Sequence, residues 1–321
     1  MANLTRGAVP ALLLALTFLP AGKAAAAGGA PSPYESWFTD IDELHANWVS
    51  THENPRLPEH KRRFCALHAG NSIGPTLGEN SAANKLSFRN PPGSLNTGLC
   101  WMHSRYQRAA SYLANFRPER PRPGRAEGER LVRQLIRRDA VVEIPGYRDL
   151  KEFSTEYRDA ITTLLDEMGV ACFLNPTDCL QRLGDSYEPS AEDLRATMDA
   201  LYDQMLQQPG DVQLLRTRVS AVSGVFRPFS AHSLLVLSMT PLRDKDAPHA
   251  PGLPPPPSGY GLKTIDPNYQ DETGAVTYRF GDRTVRWSNS RESYALAPYR
   301  HYEYAGDIGD FARAAARYCR P

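Results

Sequence analysis

Apolar residues along this chain recur at helical spacing in the first two thirds and in short strand-like runs afterwards. Trp37, Ile41, Leu44 and Trp48 fall three or four apart and predict a helix over residues 33–49. Met102, Tyr106, Ala109 and Leu113 do the same over 99–116. A Pro/Arg-rich connector over 117–128 leads into a helix running through Arg138. A further helix is expected over 147–169, starting near Ser154 as N-cap and ending at Gly169, and another over 190–208. Ser190 with Asp193 gives that last helix a box-like start, and Pro209-Gly210 stops it. Residues 71–96, rich in Gly, Pro, Asn and Ser, read as a long ordered loop. Past residue 210 the runs 212–225, 233–239, 260–265, 275–280 and 284–287 are of strand type, with turns at Gly274 and Gly281-Asp282. Residues 251–257 form a stiff, proline-rich insertion. Helices first and antiparallel strands later predict an α+β fold, with a helical part over about 33–208 and a sheet over about 212–305.

The first 27 residues read as an export leader: Arg6 supplies a basic start, 8–20 are apolar but too short to span a bilayer, and Ala24 to Ala27 offer small residues for cleavage. No later apolar run reaches membrane-helix length and no cysteine marks a lipid anchor, so a periplasmic or secreted protein without a membrane anchor is expected. Loss of the leader removes Arg6 and Lys23 and no acid, which turns the formal charge of +1 into −1. Such a balance gives no pull toward nucleic acid or anionic lipid. Eight arginines against three glutamates between Arg117 and Arg138 read as a solvated face or, alternatively, as a subsite for an acidic ligand.

Export also places the five cysteines in an oxidising compartment. Cys65 and Cys319 could tie the two ends of the fold, and Cys172 and Cys179 flank an Asn175-Pro176 turn. Four cysteines allow three connectivities, and an odd count leaves one thiol over. Cys100 stands out as that thiol, because Asn96-Thr97-Gly98-Leu99-Cys100-Trp101 delivers it to the start of a predicted helix. Partial positive charge there favours thiolate, and unpaired N–H groups can stabilise an oxyanion. A base is offered 132 residues on by His232, at the mouth of the apolar strand Ser233-Leu234-Leu235-Val236-Leu237. The next strand ends in Asp266-Pro267-Asn268, where Asp266 or Asn268 could bond the imidazole and fix its tautomer. His68, His103 and His249 take structural roles by default. There is no zinc-ligand spacing, phosphate loop or Gly-x-Ser-x-Gly elbow, and no cofactor is expected.

Gly98-Leu99-Cys100-Trp101, the histidine before an apolar strand and the strand ending in Asp-Pro-Asn together resemble papain-like cysteine peptidases, and in detail the YopT-like cysteine proteases. The resemblance implies a papain-like two-lobe fold, with Cys100 as nucleophile, His232 as base and Asp266 as orienter. Asn96 is then the candidate oxyanion donor, with Asn90 as a substitute, since the upstream glutamine of papain is missing. The papain Gly-Ser/Ala before cysteine is Gly-Leu here, and the glycine after the Asp-x-Asn motif is delayed to Gly274. The expected activity is hydrolysis of peptide or amide bonds in a protein or peptide substrate through a thioester. The alternatives are a transglutaminase or deamidase with the same triad, and a secreted binding protein that uses the arginine-rich segment and Tyr294, Tyr299, Tyr302 and Tyr304 for recognition.

Overall fold

The computed structural model of the chain describes residues 57–69, 82–94, 99–174, 189–207, 213–219, 231–244, 246, 248–249, 253–269, 274–290, 293–298 and 305–320. The leader, the helix expected over 33–49, Asn96, Cys179 and the tyrosines at 299, 302 and 304 lie outside these residues. Among them the elements run α1 (Glu59–Ala69), α2 (Cys100–Leu113), β1 (Ala114–Arg117), α3 (Arg125–Arg137), β2 (Val142–Pro145), α4 (Leu150–Glu156), α5 (Arg158–Leu174), α6 (Ala191–Gln207), β3 (Gln213–Val219), β4 (Ala231–Arg243), β5 (Pro257–Ile265), β6 (Gly274–Arg279), β7 (Val285–Ser288), β8 (Ser293–Pro298) and α7 (Ala305–Cys319). The fold is mixed α+β, and β3 to β8 close into a six-stranded antiparallel barrel.

Helix α2 is the axis of the helical core. Of its fourteen residues all but Trp101 and Arg105 are buried. It is therefore not the one-sided amphipathic helix that its apolar spacing predicts. His103, Ser104, Gln107, Arg108 and Ser111 are polar and still buried, so each needs a partner. Ser111 Oγ donates to the Gln107 carbonyl at 2.7 Å, and Gln107 Oε1 accepts from the Leu86 N–H at 3.1 Å. Around α2 pack Leu131 and Leu135 of α3, Phe153 of α4, Ile161 and Leu165 of α5, and Phe311 and Ala315 of α7.

Three local expectations are corrected. The helix expected to reach residue 116 ends at Leu113, because the backbone turns extended at Ala114. The next four residues form β1, which pairs in parallel with β2 from Ala114↔Val142 to Arg117↔Pro145. The helix expected over 147–169 is two helices that meet at Tyr157. Its N-cap is Asp149, which accepts the Glu152 N–H at 2.8 Å, whereas Ser154 sits inside α4 and takes the Ser87 N–H at 2.9 Å. An earlier carboxylate with the same capping geometry outcompetes the serine. The Ser190 cap is as expected, since Asp193 N–H donates to Ser190 Oγ at 3.0 Å and Ser190 Oγ donates back to Asp193 Oδ2 at 2.9 Å.

Strand β4 is apolar on both faces because both are covered. Leu234 and Val236 point into the barrel with Leu262, Val276, Tyr278, Trp287 and Leu296. Leu235 and, from β5, Ile265 join the helical core instead. A register shift between Val236 and Ser238 then lets Met239 face the barrel interior again. Gly274, the glycine delayed after Asp-Pro-Asn, lies under Trp287, where a Cβ would come 2.5 Å from the indole Nε1. Packing does not follow chain order. Leu194, Met198 and Leu201 of α6 join the barrel core, and α7 returns to the helical core.

That return is locked by a disulfide between Cys65 of α1 and Cys319 of α7, 254 residues apart. Phe64 meets the Tyr318 ring edge-on beside it at 5.3 Å. Replacing both cysteines with alanine is expected to lower the unfolding free energy by about 2–5 kcal/mol. Denaturant titration under non-reducing conditions measures this, and an unchanged midpoint would show that packing alone holds α1 on α7.

Candidate active site

Helix α2 opens at Cys100. Its N-cap, Leu99, offers no side-chain bond to the first amides, so the positive end of the helix bears on the sulfur-bearing residue. Leu99 is buried against α5, where a Cβ on Gly169 would lie 2.8 Å from its Cδ2. Three residues earlier on α5, Asp166 Oδ1 accepts the Ser94 N–H at 2.7 Å, and Oδ2 accepts the Ser94 hydroxyl. One helix thus holds the chain on both sides of residues 95–98.

The barrel supplies the other groups. Because β4 and β5 run antiparallel with Leu235 opposite Ile265, the start of β4 and the end of β5 fall together. His232 Nε2 donates to Asp266 Oδ2 at 2.8 Å. Asp266 Oδ1 accepts the Asn268 N–H at 2.8 Å, and its carbonyl accepts the Tyr269 N–H at 2.9 Å. The carboxylate is completely buried and His232 is 5% exposed. With Nε2 engaged, Nδ1 is left for the side-chain hydrogen bond between His232 and Cys100. Cys100 is buried and outside any disulfide. One turn along α2, Ser104 Oγ donates to the carbonyl of Ser233, the residue after His232, at 3.4 Å. The three residues singled out in the sequence therefore meet at one point.

Burial alone would drive a proton off His232. The hydrogen bonds to Asp266 and Cys100, with the Coulombic pull of the same two residues, outweigh it and push the imidazole up to about 10. His103 shows the opposite. It is buried three residues after Cys100, its Nε2 donates to the Phe88 carbonyl at 3.1 Å, and desolvation brings it down to about 4, against smaller upward pulls from the Phe88 bond and Asp266. Its Nδ1 has no hydrogen-bond partner among the described residues.

The other candidates divide. Asn268 does not bond the imidazole; its N–H secures Asp266, and its Oδ1 accepts from Asn90 Nδ2 at 3.1 Å. Asn90 is thereby directed to the Asp266 turn. Ser104 and Gln107 were not identified as site neighbours. Their signal was present, since Cys100, Ser104, Gln107 and Ser111 form a small or polar stripe at helical spacing. Five of the eight arginines in the arginine-rich segment are paired within the chain: Arg117 with Glu119 and Glu143, Arg122 with Glu152 and Glu156, Arg125 with Glu129, Arg130 with Glu127 and Arg133 with Glu167.

No protein family, curated protein or solved structure matches the chain. Among the described residues, no group of three or more His, Cys, Asp and Glu is placed to hold a metal ion, and no helix is long and apolar enough to cross a membrane.

The two histidines give opposite pH linkage. His103 stays neutral in the fold, so its contribution is full above the ordinary 6.5 and is lost as pH falls toward about 4. His232 stays protonated, so its contribution is full below 6.5 and is lost as pH rises toward about 10. In a pH series of chemical unfolding, His103→Gln is expected to flatten the acid limb and His232→Gln the alkaline limb. A variant that keeps its limb would refute the corresponding assignment.

Proposed function

We propose that this chain is an exported cysteine hydrolase of papain-like type that cleaves peptide or amide bonds in protein or peptide substrates. His232, bonded to Asp266 on one side and to Cys100 on the other, carries this reading. A thiol needs a neighbour that takes its proton and a third group that keeps that neighbour in place, and these three residues have those relations. The Cys65–Cys319 disulfide is compatible with export to an oxidising compartment. The engaged arginines weaken the alternative in which that segment is a recognition surface.

In this mechanism the proton of Cys100 rests on His232. The sulfur attacks the substrate carbonyl carbon, and the carbonyl π electrons move onto oxygen. The oxyanion lies at the start of α2, where the Cys100 N–H serves it. Collapse breaks the C–N bond; His232 gives its proton to the departing amine, and an S–C thioester remains on Cys100. His232, now neutral, takes a proton from water as that water attacks the thioester. Departure of the sulfur releases the acid and restores the starting pair. Asp266 holds the imidazole throughout.

Incubation with a peptide library, read by mass spectrometry, is expected to yield new peptide termini and an acyl adduct on Cys100. Cys100→Ala is expected to abolish both, and Asp266→Ala to lower kcat by about 10²–10⁴-fold, the usual share of acid–base assistance. Incorporation of an added amine without backbone cleavage would overturn hydrolysis in favour of transfer. An inert Cys100 would overturn the enzymatic reading altogether.

A further inference from the structure

Residues 82–94 form a strap between the helical core and the Asp266 turn. Most of its bonds reach helices. The Ala83 carbonyl accepts the Lys151 N–H of α4 at 2.9 Å, and the Ser87 N–H donates to Ser154 Oγ of the same helix at 2.9 Å. The Leu86 N–H donates to Gln107 of α2, and the Phe88 carbonyl accepts from His103 of α2. Ser94 ends on Asp166 of α5. Asn90 differs, because both of its bonds go to the turn after β5. Its N–H donates to the Pro267 carbonyl at 2.7 Å, and its Nδ2 donates to Asn268 Oδ1 at 3.1 Å.

The consequence is geometric. Cys100 is fixed by α2, whereas His232 and Asp266 are fixed by the barrel. Asn268 holds one oxygen of Asp266 through its backbone, so a shift of Asn268 is a shift of the carboxylate. The strap ties that residue to α2, the helix that bears the sulfur. Asn90 Oδ1 is buried with no partner among the described residues, so the side chain keeps its bond to Asn268 while leaving an acceptor unmet, a cost that stability alone does not explain.

We propose that Asn90 is a positioning residue of this site: by anchoring the Asp266–Asn268 turn to the strap, it holds the carboxylate, and through it the His232 imidazole, in register with the Cys100 sulfur. The proposal rests on the cysteine-hydrolase reading and adds a residue that the Cys-His-Asp set does not contain. Asn90 touches neither the imidazole nor the sulfur, so its effect runs through Asn268 and Asp266. Misplacement of a reacting group by about 1 Å can lower a rate about 10²-fold, and a side-chain bond lost two steps away is expected to give part of that.

The test is the pH profile of Cys100 alkylation by iodoacetamide in the full chain. At about pH 6 an unassisted thiol, with an ordinary value near 8.5, reacts slowly, so fast reaction there reports the assisting imidazole. Asn90→Ala is expected to slow alkylation at about pH 6 by about tenfold and to leave it within about twofold at pH 9.5. Asn268→Ala should do the same, and the double variant should be no slower than either single one, because both remove one bond. Ser154→Ala removes a strap bond to α4 and leaves the bonds to the Asp266 turn in place, and it is expected to keep the wild-type profile. If Asn90→Ala does not fold, Asn90→Ser, which keeps the backbone bond to Pro267, serves with the same expectation. A wild-type acid limb unaltered by Asn90 variants, or additive losses in the double variant, would overturn the proposal alone. A wild-type protein lacking the acid limb would instead sink the hydrolase reading on which it rests.

Discussion

A charged imidazole can stay inside a protein only when both of its N–H groups meet acceptors, since burial otherwise drives the proton off. His103 and His232 show the two outcomes in one molecule. Both rings are buried. His103 makes one bond, to a carbonyl, and is neutral; His232 lies between a carboxylate and a sulfur and holds its proton. The rest of the architecture can be understood as the means of keeping that second arrangement closed. The carboxylate must come from an adjacent strand end, the sulfur from an element outside the sheet, and neither can drift.

Three devices meet this requirement. Barrel closure fixes the start of β4 against the end of β5, and with them His232 against Asp266. A helix buried on nearly every side fixes Cys100, and its polar residues serve as docking points: Ser104 to β4, Gln107 and His103 to the strap. The strap and α5 then set the helix against the barrel, through Asn90 at the turn and through Asp166 and Gly169 on either side of the residues leading into Cys100. The disulfide closes α7 over the far side of α2, where Phe311 stacks on Tyr112 at 4.7 Å.

Much of this was legible in the sequence where a local pattern had a local cause. A glycine turn before an apolar helix placed Cys100, an apolar strand placed His232, and a strand-ending Asp-Pro-Asn placed Asp266. The pairing of Cys65 with Cys319 was within reach because two distant cysteines suit the ends of one fold. What was hidden depended on tertiary context. Strands β1 and β2 are four residues each, and β1 continues the apolar face of α2, so helical periodicity ran through it. Strand β8 and helix α7 were not recognised, although α7 is part of the helical core. Burial of the polar side of α2 could not be read from its own residues, because the partners lie on the strap and on β4. For the same reason Asn90 looked like a candidate oxyanion donor, when its amide is directed to Asn268.

The measurement that bears most directly on this account is nitrogen and proton NMR of the His232 ring across pH. Both ring nitrogens should carry protons through neutral pH and titrate only near 10, and removal of either the Asp266 carboxylate or the Cys100 sulfur should bring that titration down. A His232 ring already neutral at pH 7, or one that titrates identically without either partner, would contradict it.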